Sequence, residues 1–173
     1  MRFTLVDQIT RIQPGVEITT VKLLSLAEEY LADHFPRFPV MPGVMMLEAM
    51  TQSGAWLIRA TEDFAHSMIT LAEARNMRFR NFVTPGQVLS VTARIIEHRE
   101  QTTQLEVQAS VADNLAVGGR LVLVRRNLAD DRPDLAGTDE YIKQNLKSLF
   151  SVLDRTEARQ LAHQNGAPVG VGA

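Results

Sequence analysis

The segment Gly43–Thr61 constrains this chain more than any other. Its apolar residues include Val44, Met45, Met46, Leu47, Ala49, Met50, Ala55, Trp56, Leu57 and Ile58, and they cover nearly the whole circumference of a helix. A helix that is apolar all round belongs in an interior, not on a surface. Its few polar residues, Glu48, Thr51, Gln52 and Arg59, fall mainly on one side at helical spacing. Any fold containing this segment has to wrap it.

The rest of the chain supplies strands for that purpose. Phe3–Gln13 and Val16–Leu24 read as a hairpin around Pro14-Gly15, and Ser25–Leu31 reads as a short helical turn with Ser25 as N-cap. Beyond Phe64, strand signals start at Met68–Leu71, Asn76–Phe82, Val88–Glu97, Thr103–Ala112 and Ala116–Arg126. Turns are expected at Glu100-Gln101 and Asp113-Asn114. Gly118-Gly119 reads as a bulge or bend in a strand. One long helix covered by a curled antiparallel sheet is an α+β arrangement. It divides the chain into residues 1–127 and a helical extension, 128–173. In the extension, Ile142, Leu146, Leu149, Phe150 and Leu153 form an apolar stripe expected to lie on an oligomer surface. A further helical piece is expected at Arg155–His163.

Composition narrows the function. The 173 residues carry a net charge of −2, which gives no electrostatic reason to expect nucleic acid. The absence of cysteine excludes disulfides, thiolate metal sites and a cysteine nucleophile. With no apolar run of membrane-spanning length and an acid, Asp7, where a signal peptide needs apolar residues, the chain reads as cytoplasmic. His66, His98 and His163 lack metal-ligand spacing, so no metal is expected.

The chemistry concentrates between Asp33 and Gln52. His34 stands on a loop in which Phe35, Phe38 and Met41 each precede a proline, and residues before proline are held extended. A stiff loop suits a base that must be aimed at a C–H bond. Met41-Pro42-Gly43 then opens the helix, whose first amides have no intrahelical partner, so the Gly43 N–H is free to polarise a carbonyl. Glu48, on an otherwise apolar helix, is expected to be buried and to hold its proton, as a general acid requires. Gln52, one turn on, is placed to orient it, whereas Arg59 is too far along the helix to pair with it.

These residues resemble the β-hydroxyacyl-[acyl carrier protein] dehydratases of type II fatty acid synthesis. The likeness rests on His-Phe-Pro-x-x-Pro-x-x-Pro-Gly-Val at His34–Val44 and Glu-Ala-Met-x-Gln at Glu48–Gln52. It extends more weakly to Leu5-Val6-Asp7, Met77-Arg78-Phe79-Arg80 and Val83-Thr84-Pro85-Gly86. The resemblance implies a hot-dog fold and a homodimer with the active site at its interface, with further assembly as a trimer of dimers. The implied reaction is loss of water from a (3R)-hydroxyacyl thioester. His34 would take the C2 proton, Glu48 of the other chain would protonate the hydroxyl, and the Gly43 amide would bind the thioester carbonyl. Val44, with Glu48 as the acid, points to the dehydratase-only branch.

The resemblance further implies an acyl tunnel lined by Met45, Met46 and Met50, with no cofactor beyond the substrate's own phosphopantetheine. Arg75, Arg78 and Arg80 would dock an acidic acyl carrier protein. Asp33 stands where the family usually has glycine, and the residues after Asn127 are additional. Two other readings share these residues: a hot-dog thioesterase, and a non-catalytic acyl-binding module.

Overall fold

The computed structural model describes residues 4–35 and 37–156; the side chain of Asp33 and all but the first two residues of the expected second helical piece of the tail lie outside the described residues. Six strands form one antiparallel sheet: β1 (Gln8–Gln13), β2 (Glu17–Leu23), β3 (Met68–Phe79), β4 (Val88–His98), β5 (Thr102–Val111) and β6 (Asn114–Arg126). Their order is β1-β2-β4-β5-β6-β3. The long helix, α2 (Gly43–Thr61), packs against β2, β4, β5, β6 and β3 in turn. This is the α+β hot-dog arrangement, and the residues buried on α2, from Met46 to Ile58, explain it. Apolar strand residues such as Ile18, Leu89, Val91, Leu105, Val107, Leu121 and Leu123 meet them from the sheet.

Gly54 marks the closest approach of helix and sheet. A Cβ there would lie 2.5 Å from Leu105 Cδ1. At the adjacent position, Ser53 Oγ and Thr20 Oγ1 share a buried hydrogen bond of 2.7 Å, and Ser53 also donates to the Ala49 carbonyl.

Several boundaries differ from expectation, each for a local reason. Met68–Leu71 and the first part of Asn76–Phe82 belong to the single strand β3, which ends at Phe79 and whose pairing with β6 slips between Leu71 and Glu73 and again between Arg75 and Arg78. Asn76 has a left-handed backbone there (φ 54°), so the alternation breaks. The irregularity expected at Gly118-Gly119 thus lies mainly in the facing strand. Gly119 makes room for it, because a Cβ would come within 3.0 Å of the Arg75 carbonyl oxygen. The β5–β6 turn sits one residue early, at Ala112-Asp113, both with positive φ (46° and 66°), the geometry of a type I′ hairpin. Ser25 opens a turn by accepting the Ala27 N–H, and the helix proper, α1 (Tyr30–Asp33), starts later than expected.

Part of the stripe on the C-terminal helix, α3 (Ala136–Leu153), is covered by its own chain. Leu153 is buried, and Leu146 and Phe150 pack on the same core as α2. Phe150 sits 6.0 Å from the Trp56 ring and 5.5 Å from Phe64. Of the stripe's two remaining members, Ile142 is half-buried and Leu149 is exposed. Asp139, buried at the start of α3, accepts hydrogen bonds from Ser67 Oγ and from the amides of Leu128 and Ala129. Past the helix, the Arg155 amide donates to the Ile9 carbonyl, extending the sheet beyond β1. Among the described residues, no helix is long and apolar enough to cross a membrane.

Candidate active site

His34 is the residue that ends α1. Its backbone turns extended there (φ −105°, ψ 102°), and Phe35 follows with a left-handed φ of 51°. Such a conformation costs a non-glycine residue roughly 1–3 kcal/mol and persists only where its surroundings enforce it. The Phe38 amide closes this turn on the Phe35 carbonyl at 2.8 Å, and the Phe35 ring meets the His34 ring edge-on at 4.5 Å. At the loop's other end, the Met41 amide bonds the Val83 carbonyl at 2.8 Å. The loop is therefore tied to the segment that follows β3.

Pro42 is the N-cap of α2 and Gly43 its first residue. A cavity of about 200 Å³ opens at this end of the helix, lined by His34, Gly43, Met46, Phe79 and Arg80 among others. The structure thus brings His34 and Gly43 together at the positive end of a 19-residue helix. A side chain on Gly43 would crowd the cavity, since its Cβ would lie 3.0 Å from Phe79 Cε1. Phe35, Phe38, Phe79 and Phe82 leave an exposed apolar rim around the opening, with Phe38 and Phe82 in edge contact at 5.9 Å.

Glu48 is not among the described residues that line this cavity. It is half-buried rather than sunk in the core. Gln52 Nε2 donates to Glu48 Oε1 at 3.0 Å, and Gln52 Oε1 accepts the Leu5 amide at 2.9 Å, so the amide is fixed at both ends. Arg59 stays away from Glu48. It lies over the Trp56 ring at 5.2 Å, where burial pushes its guanidinium down to about 10.

The methionines separate. Met46 lines the cavity, Met50 is fully buried in the core, and Met45 packs at the edge of that core. Of the three, Met46 alone is among the described residues that line this cavity. Val44 points outward, 70% exposed.

The arginines separate too. Arg75 pairs with Glu73 on the surface. Arg78 and Arg80 line a cleft of about 580 Å³ together with Arg120, which the sequence reading did not single out. Arg80 borders both this cleft and the smaller cavity, so the two adjoin. Among the described residues, no group of three or more His, Asp or Glu is placed to hold a metal ion.

Residues 1–120 match the FabA-like domain family. The chain belongs to this family. Among its FabA-like relatives is the 3-hydroxyacyl-[acyl-carrier-protein] dehydratase FabZ of Ruminiclostridium cellulolyticum, 34% identical over 119 residues that span 69% of this chain and 84% of that protein. The corresponding FabZ of Chloroflexus aggregans is 36% identical over 120 residues, 69% of this chain and 83% of that one. A solved structure of the dehydratase heterocomplex ApeI:P from Xenorhabdus doucetiae shares the fold. Its TM-score is 0.63 at 19% identity, over 77% of this chain and 90% of that one.

Proposed function

We propose that this FabA-like protein is a hydro-lyase of type II fatty acid synthesis, removing water from (3R)-hydroxyacyl thioesters carried by an acyl carrier protein. The observation that carries the reading is the meeting of His34 with the Gly43 amide in one apolar-rimmed cavity at a helix N-terminus. His34 takes the proton from C2, and the electrons of that C–H bond form the C2=C3 double bond. The C3 hydroxyl leaves as water with a proton from Glu48. The Gly43 N–H, polarised by the helix, holds the thioester oxygen as negative charge builds on it. The substrate brings its own pantetheine arm, and the residues use no further cofactor.

Glu48 reaches this chemistry from a second copy of the chain. Three features favour that reading: Glu48 stays outside the cavity that holds His34, the aromatic rim is open to solvent, and β3 is an edge strand free to pair with another chain. The cleft of Arg78, Arg80 and Arg120 beside the cavity suits the acidic surface of a carrier protein, and the work takes place in the cytoplasm.

General acids and bases contribute roughly 10²–10⁴-fold each. His34→Ala and Glu48→Gln should therefore each nearly abolish hydration of a crotonyl thioester while leaving the fold intact. Co-expressing the two variants restores one intact site in each mixed dimer, and so roughly a quarter of wild-type turnover under random pairing. Unchanged turnover in either single variant refutes the assignment, and release of free thiol by the wild type favours a thioesterase. Absence of recovery in the mixed dimers refutes the shared site alone.

A further inference from the structure

The element that delivers His34 has little support of its own. α1 is four residues long, far short of the length at which a helix holds itself, and no side chain among the described residues caps its start. Leu31 anchors it by entering the core, 3% exposed. Tyr30 packs against the same core beside it, partly buried, and this apolar anchor alone leaves the direction of His34 loosely fixed.

The second anchor is a buried cation. Lys22, on β2, has a side chain 8% exposed, and its Nζ lies 2.7 Å from Glu28 Oε1 and 3.3 Å from Asp7 Oδ1. Asp7 is itself held, since its Oδ2 accepts the Leu23 amide at 2.7 Å and its own amide donates to the Val21 carbonyl at 2.8 Å. Glu28 belongs to the turn that becomes α1. Its amide donates to the Ser25 carbonyl, and its carbonyl accepts the Leu31 amide at 3.0 Å. Burial would lower the Lys22 ammonium's pKa, but the Glu28 and Asp7 carboxylates outweigh it and raise the value. Burial first, and then the same two carboxylates, push the Tyr30 hydroxyl upward, so the first residue of α1 shares this charged environment.

We infer that Lys22, acting through Glu28, is a positioning residue for His34: it fixes the turn from which α1 projects, and hence the direction in which the imidazole enters the cavity. A base displaced by about 1 Å can lose on the order of a hundredfold in rate. Lys22 itself touches no reacting atom. Its effect falls on the rate of proton removal and not on substrate binding. The kinetic form of this inference rests on the dehydratase reading above.

Glu28→Gln tests it gently, because Lys22 keeps Asp7 as a partner and the fold keeps its buried cation paired. The expected result is a kcat roughly tenfold to a hundredfold lower with KM held within about twofold. Lys22→Arg, which can still bridge both carboxylates, should retain most of the wild-type kcat. Glu62→Gln, at the opposite end of α2, serves as a destabilised control and should leave kcat unchanged at temperatures where it is folded. The His34 ring signal in the NMR spectrum of the full chain should shift in Glu28→Gln and stay in place in Glu62→Gln. A folded Glu28→Gln protein with wild-type kcat and a wild-type His34 signal overturns the inference. If the wild type shows no dehydratase turnover, the proposed function fails, and the His34 signal by itself still decides whether Lys22 positions the ring.

Discussion

Glu62, the C-cap residue of α2, holds together a network that draws on three strands and two loops. Its Oε1 lies 3.0 Å from Arg125 Nη1 and 3.2 Å from His98 Nε2, and its Oε2 lies 3.0 Å from His66 Nδ1. Arg125 also donates to Thr103 Oγ1 at 2.7 Å and to the Arg99 carbonyl, and its side chain is 1% exposed. His98 Nδ1 also lies 2.9 Å from Thr103 Oγ1, so the imidazole bridges the carboxylate and the β5 hydroxyl. Glu62→Gln would leave the guanidinium buried with neutral partners only. Removing one member of a buried pair costs roughly 3–5 kcal/mol. Thr103 and the Arg99 carbonyl remain, which places this substitution at the low end, about 3 kcal/mol. For a chain of this size each kcal/mol shifts the melting temperature by about 2–4 °C, so the expected fall is roughly 6–12 °C. Thermal unfolding followed by circular dichroism at pH 7 measures it. A fall of less than about 2 °C would show that Arg125 does not depend on Glu62 and would refute the argument. Adding Arg125→Met to Glu62→Gln removes the stranded charge and should recover part of the loss. Gly43 lies at the other end of α2, roughly 28 Å away along the helix axis, so turnover below the transition should not change.

Phe150→Ala removes a partly buried ring that joins α3 to Trp56 and Phe64, and should cost about 2–3 kcal/mol; an unchanged urea midpoint would mean that α3 contributes nothing to the core. Gly54→Ala pushes a methyl against Leu105 and Leu123 and should cost about 1–3 kcal/mol, read by the same midpoint, and full stability would show that the helix can lift from the sheet without penalty. Burial would raise the Asp139 pKa, but hydrogen bonds from Ser67, Leu128 and Ala129 and the nearby Lys143 outweigh it and depress the carboxyl below its ordinary 3.8. Its contribution is therefore present above about pH 3.8 and is lost as the pH falls through the lower folded value. The stability of Asp139→Asn should accordingly depend less steeply on pH across that acid range, and parallel acid-unfolding curves for variant and wild type would count against this.

The parts of the fold that were legible are those in which one residue pattern had one physical solution. α2 is apolar nearly all round, which leaves no alternative to a wrapped helix, and β4 alternates from Val88 to Arg94. β3 resisted because it is an edge strand with two register slips, so neither face carries a steady apolar pattern. The stripe on α3 was plain, but a stripe shows only that a helix has a covered face and not what covers it; part of the cover proved to be Trp56 and Phe64 of the same chain. The active site divides in the same way. His34 and Gly43 were readable because loop and helix start adjoin in sequence, whereas Phe79, Arg80 and Phe82 reach the cavity only through the long-range pairing of β3 with β6. Helical phase accounts for the rest. Met46 lines the cavity, and Glu48 lies two residues on, about 200° around the helix at 100° per residue. A side chain on that far face cannot serve the cavity bordered by Met46 and Gly43 of the same chain. Helical phase therefore argues against base and acid meeting within one copy, which is why the proposed chemistry draws Glu48 from a second.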